Sequence, residues 1–177
     1  MKMISYLLVL IFVCISTVTG CRAAVPTETD ETSISSINFP EAPLTLVVIC
    51  GEDAVTAWRG SYSWHILLDN NMGTGKQSDS LHPLAALDSV PVLKIGNSQE
   101  VSLVFEVLPG TAVPVQTLEV LRYRIDTNNY DDYETVTLNG TALMLPAEDA
   151  LYEVIVSWDI SDGTHCGTAR YAFRTEK

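Results

Sequence analysis

From residue 44 onward the chain alternates between short apolar runs, rich in β-branched and aromatic residues, and turn-forming dipeptides about every ten positions, a pattern that predicts an all-β sandwich or barrel. Residues 44–49 (LTLVVI) and 54–58 (AVTAW) flank Gly51-Glu52-Asp53 and predict a hairpin. In residues 61–68, Tyr62, Trp64, Ile66 and Leu68 alternate with Ser and His, so one face is apolar and the other wet. Residues 69–80 (DNNMGTGKQSDS) read as a loop, and 80–87 (SLHPLAAL) as one irregular helical turn limited by Pro83. Further strands are predicted at 91–95, at 101–107 with Val101, Leu103, Phe105 and Val107 on one side, and at 118–125. In the last of these, Leu118, Val120, Arg122 and Arg124 oppose Glu119, Leu121, Tyr123 and Ile125, which assigns the arginines to an outer face. Asn139-Gly140 predicts a hairpin between 135–138 and 141–146. Residues 150–158 and 167–174, joined through Asp162-Gly163, close the domain. The expectation is an immunoglobulin- or fibronectin-like antiparallel sandwich of about nine strands, with no long amphipathic helix and no internal repeat.

The N-terminus breaks this pattern. Lys2 is the single charge among the first twenty residues, and residues 4–13 (ISYLLVLIFV) form an apolar core ahead of small residues, which is the layout of a signal peptide. The run falls short of the ~20 residues needed to span a bilayer. It ends in Val18-Thr19-Gly20-Cys21, which resembles the lipobox of bacterial lipoproteins. That resemblance implies that the Cys21 thiol carries a diacylglycerol and becomes the first residue after cleavage, on the outer, extracytoplasmic face of the cell membrane. Two acyl chains anchor stably where one binds only marginally. Residues 22–42 are rich in Thr, Ser, Glu and Pro and bury too little to offset their ordering entropy, so they read as a flexible tether with a reach of about 25 Å. The division is therefore 1–20 signal peptide, 21–42 lipidated cysteine and tether, and 43–177 sandwich, with the tether contributing little to folding.

Charge narrows the partners. The chain has 22 acidic and 10 basic residues, and loss of Lys2 leaves 9 basic ones and a formal charge of −13. Such a polyanion repels phosphate backbones and anionic lipid heads, so nucleic acid is excluded as a partner and only the lipid anchor meets the membrane. Of four cysteines, Cys14 leaves with the signal and Cys21 takes the lipid. Cys50 and Cys166 remain as a candidate disulfide, or else as two buried small apolar residues.

Chemistry is sparse. His65, His82 and His165 stand in no zinc-ligand spacing with each other or with the cysteines, and neither a metal nor a cofactor is expected. The insert 126–134 (DTNNYDDYE) gathers oxygens as a calcium loop would but fails the EF-hand pattern, leaving a weak calcium site to be weighed against a solvated hairpin tip. No G-x-S-x-G occurs, and no catalytic signature points to an enzyme. Trp64 and Trp158 fall at inward positions and read as core. Trp58, Tyr62 and His82 are the candidate binding surface, because partly exposed aromatics anchor ligands.

Gly60-x-Tyr62-x-Trp64, His82-Pro83-Leu84, Val101-x-Leu103-x-Phe105, Tyr152-Glu153-Val154-x-Val156-x-Trp158 and the closing Gly167-Thr168-Ala169-Arg170-Tyr171-Ala172-Phe173 resemble small extracytoplasmic lipoproteins of Gram-positive bacteria whose activity is unassigned. The resemblance implies an extracytoplasmic β domain and no catalytic residues. The function expected is a membrane-anchored binding module for a protein or cell-wall glycan. The rival readings are a structural envelope protein and an enzyme without a recognisable motif.

Overall fold

The computed structural model describes residues 40–68, 72–96, 99–109, 115–127, 129–159 and 165–177. The signal-like segment, Cys21 and the tether up to residue 39 lie outside the described residues, as do the side chains of 66–68, 72–74, 115, 165 and 166.

Two sheets pack as a sandwich, and the described residues contain eleven strands, numbered here in chain order, where nine were expected. The smaller sheet runs β2 (Asp53–Thr56), β1 (Thr45–Cys50), β6 (Gln99–Glu106), β9 (Ala142–Leu145). The larger runs β4 (Met72–Ser78), β3 (Trp58–Leu68), β11 (His165–Glu176), β10 (Ala150–Asp159), β7 (Val115–Arg124), β8 (Tyr133–Val136), with β5 (Val92–Lys94) added parallel to the end of β11.

The β-branched run of β1 alternates as expected, burying Leu46, Val48 and Cys50 against the larger sheet. Trp64 and Trp158 are core, as the alternation predicted, and meet edge to face at 5.3 Å between ring centroids. Each such buried side chain contributes about 1.5–3 kcal/mol by area removed from water. Tyr171 reaches across the sandwich to donate its hydroxyl to the carbonyl of Leu44, and burial raises its pKa, keeping the phenol protonated.

The outer face of the larger sheet is not left to solvent. A 3-10 helix, Pro83–Ser89, lies over it and joins Leu84 and Val90 to Leu121, Tyr123, Leu151 and Ala172 in a second apolar cluster. Pro83 starts this helix instead of limiting it, because its missing N–H falls among the first-turn donors that have no partner anyway. Strand β10 is consequently covered on both sides, with Tyr152, Val154, Val156 and Trp158 facing the inter-sheet core and Leu151 facing the helix.

Four expectations are corrected. Residues 72–78 form β4, not a loop; the strand pairs with β3 from Tyr62↔Ser78 to Leu68↔Met72 and forms a Gly- and Lys-bearing sheet edge. The Asn139-Gly140 turn exists, closed by Asn139 N–H to Ala142 O at 2.8 Å with Gly140 at φ 65°, but it does not join a hairpin. Its arms separate after one bridge, β8 going to the larger sheet and β9 to the smaller. The arginines of β7 lie on the face of Val120, at the sandwich rim, where Arg122 donates to Glu134 at 2.7 Å and also pairs with Glu148.

The fourth concerns the disulfide. The Trp64 indole N–H donates to Pro40 O at 2.9 Å, and Arg59 to Pro43 O at 3.0 Å, while Tyr171 holds Leu44. Residues 40–44 thus run alongside β11 in the direction from Gly167 to Tyr171, since Trp64 is paired with Gly167 and Arg59 with Tyr171. Continuing that way for six residues carries Cys50 roughly 20 Å past Leu44, whereas Cys166 lies five residues before Tyr171, about 17 Å in the opposite direction. Bridged Cα atoms sit within about 7 Å. Cys50 is a free thiol that donates to Gln99 Oε1 at 2.7 Å, and burial, with the negative charge of Asp53, pushes its pKa up.

Candidate functional site

The site begins with an irregularity in β3. Opposite β11, Tyr62 pairs with Ala169 and Arg59 with Tyr171, so three steps on β3 match two on β11. This β-bulge flips the side-chain alternation. Tyr62 and Trp64 stay on the inner face, whereas Trp58 turns to the outer face and packs on the cluster beneath the 3-10 helix. Gly60 sits in the bulge. A Cβ there would come within 3.2 Å of Ser80 Oγ and 3.4 Å of the Arg170 carbonyl, so the absent side chain leaves space between β3 and the segment leading to the helix.

That space is a cavity of about 330 Å³, lined among others by Trp58, Gly60, Ser80, His82, Glu153 and Arg170. Glu153 is only 1% exposed and is placed there by the same alternation that sends Tyr152 and Val154 to the main core. Its oxygens are held separately: Oε1 accepts from Arg170 Nη1 at 3.1 Å, and Oε2 from the Tyr123 hydroxyl at 3.1 Å. A buried carboxylate requires such pairing, since unpaired it would cost several kcal/mol. Burial, followed by the charge and hydrogen bond of Glu153, raises the pKa of Tyr123, so its phenol remains a donor.

His82 closes the rim. Its Nδ1 accepts the Leu84 N–H at 3.2 Å, capping the 3-10 helix and placing the proton of the neutral ring on Nε2. The ring stacks on Tyr130 at 4.4 Å and meets Tyr123 edge-on at 5.2 Å. Burial lowers its pKa, opposed by Glu153 and reinforced by Arg170.

Comparison with protein families, curated proteins and solved structures finds no match to this chain.

Of the three residues expected to form a binding surface, the fold brings Trp58 and His82 to one cavity and sets Tyr62 at the border of a neighbouring one. Tyr62 packs against the main core, with the Arg59 guanidinium 5.5 Å from its ring centroid. Tyr130, from the insert weighed as a calcium loop, arrives at the rim. Two acids of that insert are already committed, Asp126 to Arg124 at 2.6 Å and Glu134 to Arg122. Cys21 and the side chain of Cys166 lie outside the described residues.

Glu153 and Arg170 are the site residues missed from the sequence. The signal was present: Glu153 is the lone charge within residues 150–158, and a charge inside a strand apolar on both faces has to be paired. A second cavity of about 300 Å³ adjoins the first, lined in part by Ser61, Ser63, Gln77, Asp79, Thr168 and Arg170. Arg170 and Ser61 border both.

Proposed function

We propose that the protein is a lipid-anchored extracytoplasmic binding module that takes its ligand on the outer face of the larger sheet. The observation that supports this most is the Glu153–Arg170–Tyr123 cluster, a buried carboxylate with one partner on each oxygen, at the wall of a cavity bordered by Trp58 and His82. Preformed cavities with a few fixed polar groups are the usual form of small-molecule sites. The local geometry favours binding over hydrolysis. Ser80 Oγ donates to the Leu81 carbonyl and His82 Nδ1 is occupied by a backbone N–H, so the two do not form a nucleophile and base. The lipobox-like Val18-Thr19-Gly20-Cys21 supports anchoring through Cys21.

Two measurements test the reading. Fatty-acid labelling should mark the wild type and not Cys21→Ser; label retained by the variant removes the anchor. The Cys21→Ser protein, freed from the membrane, should be retained by isolated cell envelopes, and Gly60→Val, which fills the cavity, should abolish retention. Undiminished retention of Gly60→Val would put the ligand elsewhere.

A further inference from the structure

We infer that the two adjoining cavities are one carbohydrate site, holding two consecutive rings of a neutral oligosaccharide, one on each side of Arg170. This rests on the binding-module reading above and specifies its ligand class.

Size comes first. At about 330 and 300 Å³ the cavities lie at the lower bound of small-molecule sites, about 300–1,000 Å³. Each therefore suits one ring rather than a folded epitope, and the shared border at Arg170 and Ser61 makes them consecutive.

Next is the donor and acceptor inventory. Hydroxyls of Ser61, Ser63 and Thr168 and the Gln77 amide both donate and accept, which matches a ligand whose every hydroxyl does the same. A carboxylate offers about four acceptor positions, and among the described residues Glu153 uses two, one on each oxygen. The other two can receive the paired O–H donors of a vicinal diol.

Charge then gives ionic ligands no advantage. Glu153 and Arg170 neutralise each other at 3.1 Å, so the pair offers an ionic ligand no net charge, while the remaining N–H donors of Arg170 and acceptor positions of Glu153 are open to neutral hydroxyls. Asp79 in the second cavity opposes anions further. Finally, Leu81 is 68% exposed where it borders the first cavity, beside Trp58, and these two present apolar surface to the C–H face of a ring.

The full-length chain, carried in detergent, is titrated with a panel of neutral tetrasaccharides (cellotetraose, maltotetraose, chitotetraose), the matching monosaccharides, tetragalacturonate and a random peptide library. At least one neutral tetrasaccharide should bind, with its monosaccharide weaker by about tenfold or more. Ser63→Ala with Thr168→Val, which removes hydroxyls from the second cavity at little cost to folding, should reduce the tetrasaccharide to the monosaccharide's affinity. Gly60→Val should abolish both, with Gly60→Ala as the milder variant should valine impair folding. Met144→Ser, on the other sheet, should change nothing. Tetragalacturonate binding best, or a neutral saccharide unaffected by these variants, overturns the proposal. So does an absence of saccharide binding. Peptide binding lost in Gly60→Val would overturn the carbohydrate class while sparing the binding-module reading; binding of any probe untouched by Gly60→Val would overturn both.

Discussion

Glu153 is the lone charge within residues 150–158, and what its loss costs follows from its partners. Its carboxylate is buried, but Arg170, its partner on the cavity side, is 48% exposed, so water reaches one end of the pair. Arg170→Met should therefore destabilise the protein by about 1–3 kcal/mol, the cost of an unsatisfied buried acceptor, and not by the larger penalty of a fully buried broken pair. Adding Glu153→Met to that variant should restore part of the loss, as denaturant unfolding of the single and double variants would show. His82 yields a pH dependence whose sign follows from its partners. Burial holds its pKa down, Glu153 opposing and Arg170 adding. Between the ordinary histidine value of about 6.5 and the lower folded value, the unfolded chain binds more protons than the folded one. Stability conferred at this site is thus complete above about pH 6.5 and is lost as pH falls through that window. His82→Asn keeps a capping acceptor and should lessen the fall in unfolding midpoint between about pH 7.5 and 5.5. An identical fall in wild type and variant would mean that His82 does not set it.

At the scale of elements, the alternation of large apolar residues made the sandwich legible, because β1 and β10 each bury one whole alternate set and β6 buries Val101 and Leu103. Three features escaped it for separate physical reasons. Strand β4 takes part through its backbone at a sheet edge, and a run such as Gly73-Thr74-Gly75-Lys76 gives no apolar period to detect. Asn-Gly reports a local turn, but which sheet each arm then joins is decided by distant partners, β7 for one and β6 for the other. The β3 bulge adds one residue and so reverses the face of everything before it, which is why Trp58 and Tyr62 look like neighbours in sequence and are not. The bulge depends on close contact between β3 and β11. Gly167 has φ 154°, and a Cβ there would lie 2.2 Å from the Ser63 carbonyl and 2.9 Å from Trp64 Cα, both rigid backbone. Gly167→Ala should cost at least about 1–3 kcal/mol from overpacking and disturb the cavity as β3 moves away. A thermal unfolding midpoint equal to wild type would show that the strands can separate freely.

For the whole molecule, the question is where along the chain the folded body begins. A tether expected to run to residue 42 would make a chain starting at Pro43 as stable as a longer one. The contacts place the start earlier. The Pro40 carbonyl accepts the Trp64 indole N–H at 2.9 Å, Glu41 lies 3.4 Å from Lys76 Nζ, and Pro43 and Leu44 are buried. The Lys76 pair is exposed and worth little. The indole bond differs, because Trp64 is 1% exposed in the folded chain and its N–H loses its acceptor when Pro40 is removed. Leaving that donor unpaired costs about 1–3 kcal/mol. A chain beginning at Pro43 should accordingly unfold about 2–8 °C below one beginning at Ser36, while a chain beginning at Ser36 should match one beginning at Arg22. Substituting Trp64→Phe in each length separates the bond from the general loss of chain: the variant should erase the difference between the Ser36 and Pro43 starts. If the difference survives Trp64→Phe, the removed residues stabilise the fold through something other than the indole bond.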